Sequence, residues 1–384
     1  EYLYFDFWKN MNAAELAALP LFILMGEILF NTRLSRNLFR GLSPFLSPLP
    51  GGLLHVNILA CTLFAAVSGS SAATTATIGR MTLDELDKRG LDRKLAMGSL
   101  CGAGTLGFLI PPSIIMILYG VLTETSIVNL FISGLIPGAI LAGLYMLYII
   151  IMSRGASSKS ITSENDDAAL SKVTAFMMVA PVLLMILMVL GSLYMGWASP
   201  SEAAVVGVAA ALLFAAYDKS LNLQSLTSAF FNAIKTISMI GLILAGALFL
   251  SRVLAFLGLP QMIASSIAAL GLDPSALIML LLVFYIFLGM ILDGLSVIIM
   301  TLPIIFPLII QAGFDPVWFG IFLVIVVEMA QITPPVGFNL FVVQGLTGEK
   351  PMTVARSSLP FFLIMAGFVV LITLFPEITT FLIR

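Results

Sequence analysis

Charged residues are scarce in this 384-residue sequence: they make up 10% of the chain, against 60% for hydrophobic residues. A soluble globular domain carries about a quarter of its residues as charges, so the composition excludes a soluble protein and predicts one embedded in a membrane. The apolar runs are typical of helices that cross a bilayer, which takes roughly 20 residues. The short alternating segments of a transmembrane β-barrel are lacking, so we predict helical spans. They are Leu19 to Phe30, Ile127 to Met152, Val173 to Tyr194, Ala203 to Tyr217, Ile237 to Leu250 and Phe361 to Phe381.

Histidine and cysteine are nearly lacking too, with 1 histidine and 2 cysteines. These numbers exclude a disulfide framework and a metal cluster. Cys61 and Cys101 lie in apolar or small-residue segments, where free cysteines pack into the core. An intramembrane enzyme needs a nucleophile with a base, or a metal motif such as HExxH, so we predict that the protein is not an enzyme. His55 is interpreted as structural, with a proton relay as the alternative.

A basic stripe is also missing. The net charge is -2, and the 18 Lys and Arg residues sit in short connecting segments, which argues against a nucleic-acid partner. The positive-inside rule assigns the richest segment, Arg80 to Lys94, to the cytoplasm, and most Lys and Arg residues then fall on that side. The N-terminus lacks the basic region and cleavage site of a signal peptide, and we expect the natural start to lie upstream.

What is present is an internal repeat, with an offset of about 220 residues. Three landmarks recur in the same order: Gly26 and Gly246, Ser68-Gly69 and Asp293-Gly294, and Pro111-Pro112 and Pro334-Pro335. The charge pattern places the first broken segment on the cytoplasmic side and its equivalent on the outer side, so the repeat has inverted topology. Such repeats hold a substrate site near the bilayer midplane, at discontinuous helices.

The predicted fold is therefore an all-α polytopic membrane protein with an inverted-topology repeat, two re-entrant helical hairpins and two discontinuous transmembrane helices. Residues 1–153 form the first repeat and residues 173–384 the second, joined by a polar cytoplasmic linker at 154–172 that is interpreted as a flexible connector. The first repeat has a scaffold helix, an amphipathic arm from Arg33 to Ser47, a hairpin at 51–80 and a broken helix at 95–122. The second has scaffold helices, an arm at 252–270, a hairpin at 274–311, a broken helix at 315–345 and a C-terminal helix.

The hairpin tips and the helix breaks carry the chemistry. In "SGSSAATTATIG", residues 68–79, backbone left unpaired must line a cavity in the protein; a helix that ends there suits a cation, and one that starts there suits a carboxylate. Close helix packing is the alternative. In "GAGTLGFLIPPS" and "EMAQITPPVGFN" the prolines leave carbonyls without partners, a set of oxygens suited to an alkali cation. An anionic substrate would be held by half-helix N-termini, hydroxyls, a co-transported cation or Arg80.

Three further polar residues each have two interpretations. Asp293 is a proton or cation carrier or the N-cap of a half-helix. Glu328 faces a partner subunit or an aqueous path. Asn339 hydrogen-bonds the broken backbone or contacts the substrate.

The motifs together resemble a known family. They are "ALPLFILMGEI", "GGLLHVNILACTLFAAVSGSSAATTATIG", "GFLIPPSIIMILYG", "LFISGLIPGAILA", "ASPSEAAVVG", "GMILDGLSVIIMTLPIIFP" and "QITPPVGFNLFVVQG". In this order, over nearly the whole chain, they resemble the large membrane subunit of tripartite ATP-independent periplasmic (TRAP) transporters. The resemblance implies a sodium-driven secondary transporter with an elevator motion in the bacterial cytoplasmic (inner) membrane. It also implies a small membrane (Q) subunit and a periplasmic substrate-binding (P) protein as partners.

The resemblance also implies site residues, with Na⁺ as coupling ion and no other cofactor. The sodium-binding residues would be Ser68, Ser71, Gly104, Gly107, Pro111, Gly289, Gly294, Thr333, Val336 and Gly337. The substrate-binding residues would be Ser70, Thr74, Thr77, Pro112, Asp293, Ser296, Pro335 and Asn339. The expected substrate is a small organic anion, a carboxylate such as a C4-dicarboxylate. The alternative function is a channel-like or structural membrane subunit without alternating access.

Overall fold

The regular structure of the chain is helical throughout the residues that the computed structural model describes, which are 14–88, 91–154, 171–258, 262 and 273–383. After a 3₁₀ turn at Ala14–Ala17 the helices follow in chain order. They are α1 (Ala18–Phe30), α2 (Leu34–Leu46), α3 (Leu54–Ser68), α4 (Ser71–Lys88), α5 (Arg93–Thr105), α6 (Ile114–Thr123), α7 (Ile127–Ser153), α8 (Lys172–Tyr194), α9 (Pro200–Tyr217), α10 (Leu223–Phe256), α11 (Pro274–Gly289), α12 (Gly294–Gln311), α13 (Pro316–Gln331), α14 (Phe338–Thr347), α15 (Pro351–Leu374) and α16 (Glu377–Thr380).

Six of these helices are long and apolar enough to cross a membrane, counted over the described ranges. They are α7, α8, α9, α10, α12 and α15. A seventh span is possible where α1 meets α2, and the two helices are bent by 71° at that point. α2 occupies the predicted first arm, and its buried leucines, Leu34, Leu38 and Leu42, lie on one face. The protein is therefore a multi-pass membrane protein.

The order of elements in the first half returns in the second. Helices α3 and α4 form the first hairpin, and α5 and α6 form the first broken helix; α11 and α12 form the second hairpin, and α13 and α14 the second broken helix. A long closing helix follows each broken helix, α7 in the first half and α15 in the second. The fold is an all-helical inverted repeat with two re-entrant hairpins and two discontinuous helices.

Several predicted boundaries differ from the structure. The first hairpin runs eight residues past Arg80, because Leu83 and Leu86 continue the buried face of α4. The predicted span Ile237 to Leu250 is the inner part of the 34-residue α10. The last span begins earlier than predicted, at Pro351, since proline is favoured in the first helical turn.

Two predicted segments lie mainly outside the described residues. Of the linker at 154–172, only its two ends are described, as the end of α7 and the start of α8. Of the arm at 252–270, the first residues belong to the end of α10, and nearly all the rest lies outside the described part of the chain.

Packing divides the chain into an outer bundle and an inner one. In the outer bundle α1 packs against α9 and α10, and α2 packs against α8. In the inner bundle α5 packs against α3, α4 and α15, while α13 packs against α11, α12 and α7. All residues of α13 from Val317 to Gln331 are buried. The first broken helix and the first half of the second are thus placed at the centre of the molecule, whereas the second break is partly exposed at Pro335 and Val336.

Candidate functional site

The first hairpin tip is made by a glycine and a set of hydroxyl groups. Helix α3 ends at Ser68 and is capped by Gly69, whose φ of 60° is left-handed and whose N–H donates to the Ala65 carbonyl at 2.9 Å; this is the conformation that favours glycine. The chain re-enters a helix at Ser71. The hydroxyls of Ser68 and Thr74 are 2.7 Å apart and share a hydrogen bond, which closes the turn without any charged side chain.

This tip lies directly against the first broken helix. A Cβ built on Gly107 would lie 2.9 Å from the Ser70 carbonyl oxygen and 2.9 Å from Ser71 Cα. A Cβ built on Gly104 would overlap the hydroxyl of Thr75. The two glycines therefore permit a backbone approach that no larger residue allows, and they bring the predicted residues Ser70, Ser71, Gly104 and Gly107 together.

The first break itself is closed by Ser113, a residue that the sequence analysis missed. Ser113 is the N-cap of α6, and its Oγ accepts from Met116 N–H at 3.4 Å. The same hydroxyl donates to the Phe108 carbonyl, across the break. The Pro111–Pro112 peptide bond between them is cis. The signal for Ser113 was present in the sequence, because a serine immediately before an apolar run is a typical N-cap.

The second hairpin tip is closed by an acid. Asp293 is the N-cap of α12: its Oδ2 accepts from the N–H groups of Leu295 and Ser296, each at 3.1 Å, and Oδ1 accepts from the Ser296 hydroxyl. The geometry is that of the capping interpretation. Asp293 is exposed and Ser296 is half-buried, so their oxygens are accessible from outside the protein core.

The second break gathers backbone oxygens around Gly337. A Cβ on Gly337 would lie 2.7 Å from the Thr333 carbonyl oxygen and 2.8 Å from that of Gln331. The Thr333 hydroxyl donates to Met329 O at 2.7 Å, and the Pro334–Pro335 bond is cis. Converging carbonyl oxygens are the hard ligands that suit an alkali cation, and only glycine leaves them room.

Each broken helix touches the tips of both hairpins. The first break meets the first hairpin through Gly107, as described, and it meets the second through Phe108, whose ring lies 3.2 Å from where a Cβ of Gly294 would be. The second break meets the second hairpin through Val336, whose N–H donates to Met290 O at 3.1 Å.

The second break also reaches the first hairpin. Asn339 Nδ2 donates to Ser71 Oγ at 2.7 Å, and both side chains are buried, at 0% and 1% exposure. Its amide thus bonds the other repeat instead of the broken backbone, which corrects one interpretation of this residue. Asn339 Oδ1 is buried without a hydrogen-bond partner, so an acceptor is free to bind a ligand at the place where the repeats meet.

Other predicted residues lie apart from these contacts. Thr77 is half-buried on α4, nearly two turns beyond the tip, and Pro335 is exposed. Arg80 is exposed nine residues after Ser71, a distance of about 13 Å along a helix; the structure does not place it at the tip.

Pro112 does reach the tip of the first hairpin, since its carbonyl oxygen would lie 3.1 Å from a Cβ on Gly69. Gly289 packs against Ala330, where an added Cβ would overlap the alanine side chain.

Two residues with open interpretations are buried inside the protein. His55 is buried at 0% exposure, and its Nε2 lies 2.8 Å from the Pro50 carbonyl oxygen, at the base of the first hairpin. Glu328 is also at 0% exposure, inside the chain's own core. The expectation that Glu328 faces a partner subunit or an aqueous path is therefore wrong for this arrangement, because α13 is covered by other helices along its whole length after Pro316.

With this geometry in place, the chain can be compared with known proteins. Residues 3–378 match the family model described as "Tripartite ATP-independent periplasmic transporter, DctM component". The C4-dicarboxylate TRAP transporter large permease protein DctM of Pseudomonas aeruginosa is 33% identical over 95% of this chain and 85% of its own length. The isethionate TRAP transporter permease protein DctMQ of Oleidesulfovibrio alaskensis is 30% identical over 97% of this chain and 59% of its own length.

The fold also matches a solved structure. The Alcanivorax borkumensis YdaH transporter, whose crystal structure is described as having an unusual topology, superposes with a TM-score of 0.70 over 98% of this chain and 88% of its own. The sequence identity is 16%, so this likeness concerns the fold alone.

Proposed function

Because the chain belongs to the family of DctM components of TRAP transporters, we propose that it is the membrane subunit that carries a small organic anion inward, driven by a sodium gradient. The observation that carries this proposal is the contact of each broken helix with both hairpin tips, through Gly107, Phe108, Val336 and Asn339. A binding site formed by these four segments changes shape whenever one hairpin moves. It therefore couples ligand binding to movement, as alternating access requires.

Sodium is the coupling ion that the donors fit. The first site is formed by the hydroxyls of Ser68 and Ser71 with the backbone of Gly104, Gly107 and Pro111. The second is formed by the backbone of Gly289, Gly294, Val336 and Gly337 with Thr333. The Gln331 and Thr333 carbonyl oxygens beside Gly337 and the free, buried Oδ1 of Asn339 support this assignment, since all of them are neutral oxygen acceptors.

The substrate is a small organic anion. Two relatives are named for transport of C4-dicarboxylate and isethionate, and both compounds are anions. The start of α4 directs N–H groups towards the tip of the first hairpin, which favours a carboxylate or sulfonate; at the start of α12 the N–H groups of Leu295 and Ser296 bond Asp293 instead. The substrate residues are Ser70, Thr74, Thr77, Pro112, Asp293, Ser296, Pro335 and Asn339. The charge of Asp293 repels an anion, so this residue would act through Leu295 and Ser296, whose groups it hydrogen-bonds.

The movement is an elevator motion in the bacterial inner membrane. The outer bundle of α1, α2, α8, α9 and α10 is the scaffold, and the two hairpins with the broken helices move against it. A periplasmic binding protein delivers the substrate, and a small membrane subunit completes the transporter. The relative from Oleidesulfovibrio alaskensis is named DctMQ, and its greater length is consistent with the small subunit being fused in that protein.

The test is uptake of labelled substrate into proteoliposomes that contain the subunit with its small membrane partner, supplied with the binding protein. A thermal-shift screen of that binding protein against organic acids first identifies the substrate. We expect uptake only when an inward sodium gradient is imposed. Passive flux that ignores sodium would contradict the proposal, and no flux with all partners present would favour a structural subunit.

A further inference from the structure

Glu328 is a carboxyl group in the centre of the protein that the proposed sites do not use. It lies one turn before the end of α13, in a stretch where all residues are buried, and its own exposure is 0%. Neither Oε1 nor Oε2 has a hydrogen-bond partner. Acids inside a membrane protein are rare and are usually functional, so this unpaired one needs a physical account.

The carboxyl is surrounded by polar groups that carry no net charge. It lies next to the backbone of Phe108 and Leu109, in the first break. The N–H groups of these residues already bond the carbonyls of Thr105 and Leu106, at 3.0 and 3.1 Å. The buried hydroxyl of Tyr145 is close enough to interact with a charge on Glu328, and it also lies near the side chain of Thr105.

No positive charge of the described residues is paired with Glu328. On the helices that pack against α13, the ionisable groups other than Tyr145 are engaged or lie towards helix ends. They are Tyr119, which donates to Pro316 O; Tyr285, which shares a hydrogen bond with Thr301; Tyr148 on α7; Cys101, beside Cys61 and Ser358; Arg93, paired with Glu349; and the exposed Lys94, Arg356 and Glu377.

An ionised carboxylate in this position would be a buried charge without a partner, which is one of the most unfavourable arrangements in a protein. A protonated carboxyl has no net charge and gains an O–H donor. The buried hydroxyl oxygen of Tyr145 is an acceptor close to this O–H group.

The second hairpin packs against residues that neighbour this carboxyl. Gly294 packs against Val327, the residue before Glu328, and against Phe108, the residue beside its carboxyl. Gln331, one turn after Glu328, also lies against Gly294, with a buried Nε2 that has no partner. Movement of the second hairpin away from the first break would therefore open the surroundings of Glu328 to water.

We infer that Glu328 is a proton-binding site whose occupancy is linked to the position of the second hairpin. When the hairpin is packed as in this structure, the carboxyl holds a proton on one of its oxygens. When the hairpin moves away, water reaches the group and the O–H bond breaks, giving a carboxylate and a hydronium ion; closing reverses the step. The linkage to transport rests on the proposed function, whereas the proton on the carboxyl does not.

The direct test is infrared spectroscopy of the purified full-length protein at neutral pH. We expect the carbonyl band of a protonated carboxylic acid, lost in Glu328→Gln and shifted in Glu328→Asp. Glu124→Gln, which removes an exposed acid, is the matched control and should keep the band. A band that survives in Glu328→Gln overturns the inference, and so does its absence from the wild-type protein. If the Gln variant does not fold, the frequency shift in the Asp variant decides the question.

The linkage is tested in proteoliposomes with the partner proteins, at a fixed sodium gradient. We expect uptake by the wild-type protein to respond to an imposed pH gradient, and we expect Glu328→Gln to lose that response. An unchanged pH response in the variant overturns the linkage. Sodium-driven uptake in the same vesicles separately tests the proposed function. A sodium-dependent shift of carboxylate bands without a protonated band would assign the group to the cation instead.

Discussion

The side-chain amide of Asn339, in the second broken helix, donates a 2.7 Å hydrogen bond to Ser71 Oγ at the tip of the first hairpin. The two residues are 268 positions apart and belong to different repeats. This bond ties the two halves of the chain together at the point where the candidate sites meet.

Asn339→Ala should weaken both stability and sodium binding. It removes the donor to a buried hydroxyl, which costs about 1–3 kcal/mol in the free energy of unfolding, and it deletes the free Oδ1. We expect a lower thermal unfolding temperature and a smaller stabilisation by sodium over potassium. Asn129→Ala, at an exposed position, is the control. Equal sodium stabilisation in Asn339→Ala and the wild type would exclude Asn339 from the site.

Replacing Ser68 and Ser71 together by Val should reduce sodium-driven uptake without preventing membrane insertion. Valine lacks the oxygen that a cation needs, and it adds one heavy atom at each of these buried positions. Expression in the membrane fraction and uptake in proteoliposomes measure the two effects separately. Thr227→Val, exposed on α10, controls for loss of a helical hydroxyl. Full uptake in the double variant would assign the tip to packing alone.

Gly107→Ala tests the close approach of the first break to the first hairpin. The added Cβ would lie 2.9 Å from backbone atoms of Ser70 and Ser71, and forcing them apart costs about 1–3 kcal/mol. We expect a lower unfolding temperature and loss of uptake. Gly143→Ala is a matched control on α7, because a Cβ there meets no atom within 4 Å; it should be neutral or stabilising. A Gly107→Ala protein with normal uptake would show that the tip tolerates displacement.

Asp293→Asn and Asp293→Ala separate capping from charge. Asparagine caps a helix about as well as aspartate, whereas alanine costs about 1 kcal/mol. We therefore expect the Asn variant to keep the unfolding temperature and the Ala variant to lower it. Uptake by the two variants is then informative: wild-type uptake by the Asn variant assigns the contribution of Asp293 to the cap. An unfolding temperature lowered equally by both substitutions would contradict the capping assignment.

Much of the fold could be predicted from the sequence because the bilayer restricts the secondary structure that an apolar segment can adopt. Long apolar runs must be helices in lipid, and Pro-Pro pairs and a Ser-Gly-Ser interruption must break them, so the hairpins and broken helices were predicted close to their observed positions. Helix ends were predicted less well. Leu83 and Leu86 extend α4 past the charged Arg80 because they are buried by other helices, and that burial cannot be read from a local pattern.

The sequence by itself determined the class of fold, the repeat and the uncharged, hydroxyl-rich tip of the first hairpin, because these depend on composition, order and local backbone preference. Only the tertiary structure decided which groups meet. The hydrogen bond from Asn339 to Ser71, the contact of Phe108 with Gly294 and the burial of Glu328 all join segments that lie far apart in the chain. The physical reason is that these contacts depend on how the two repeats pack together, and packing brings together residues whose local sequences carry no record of one another.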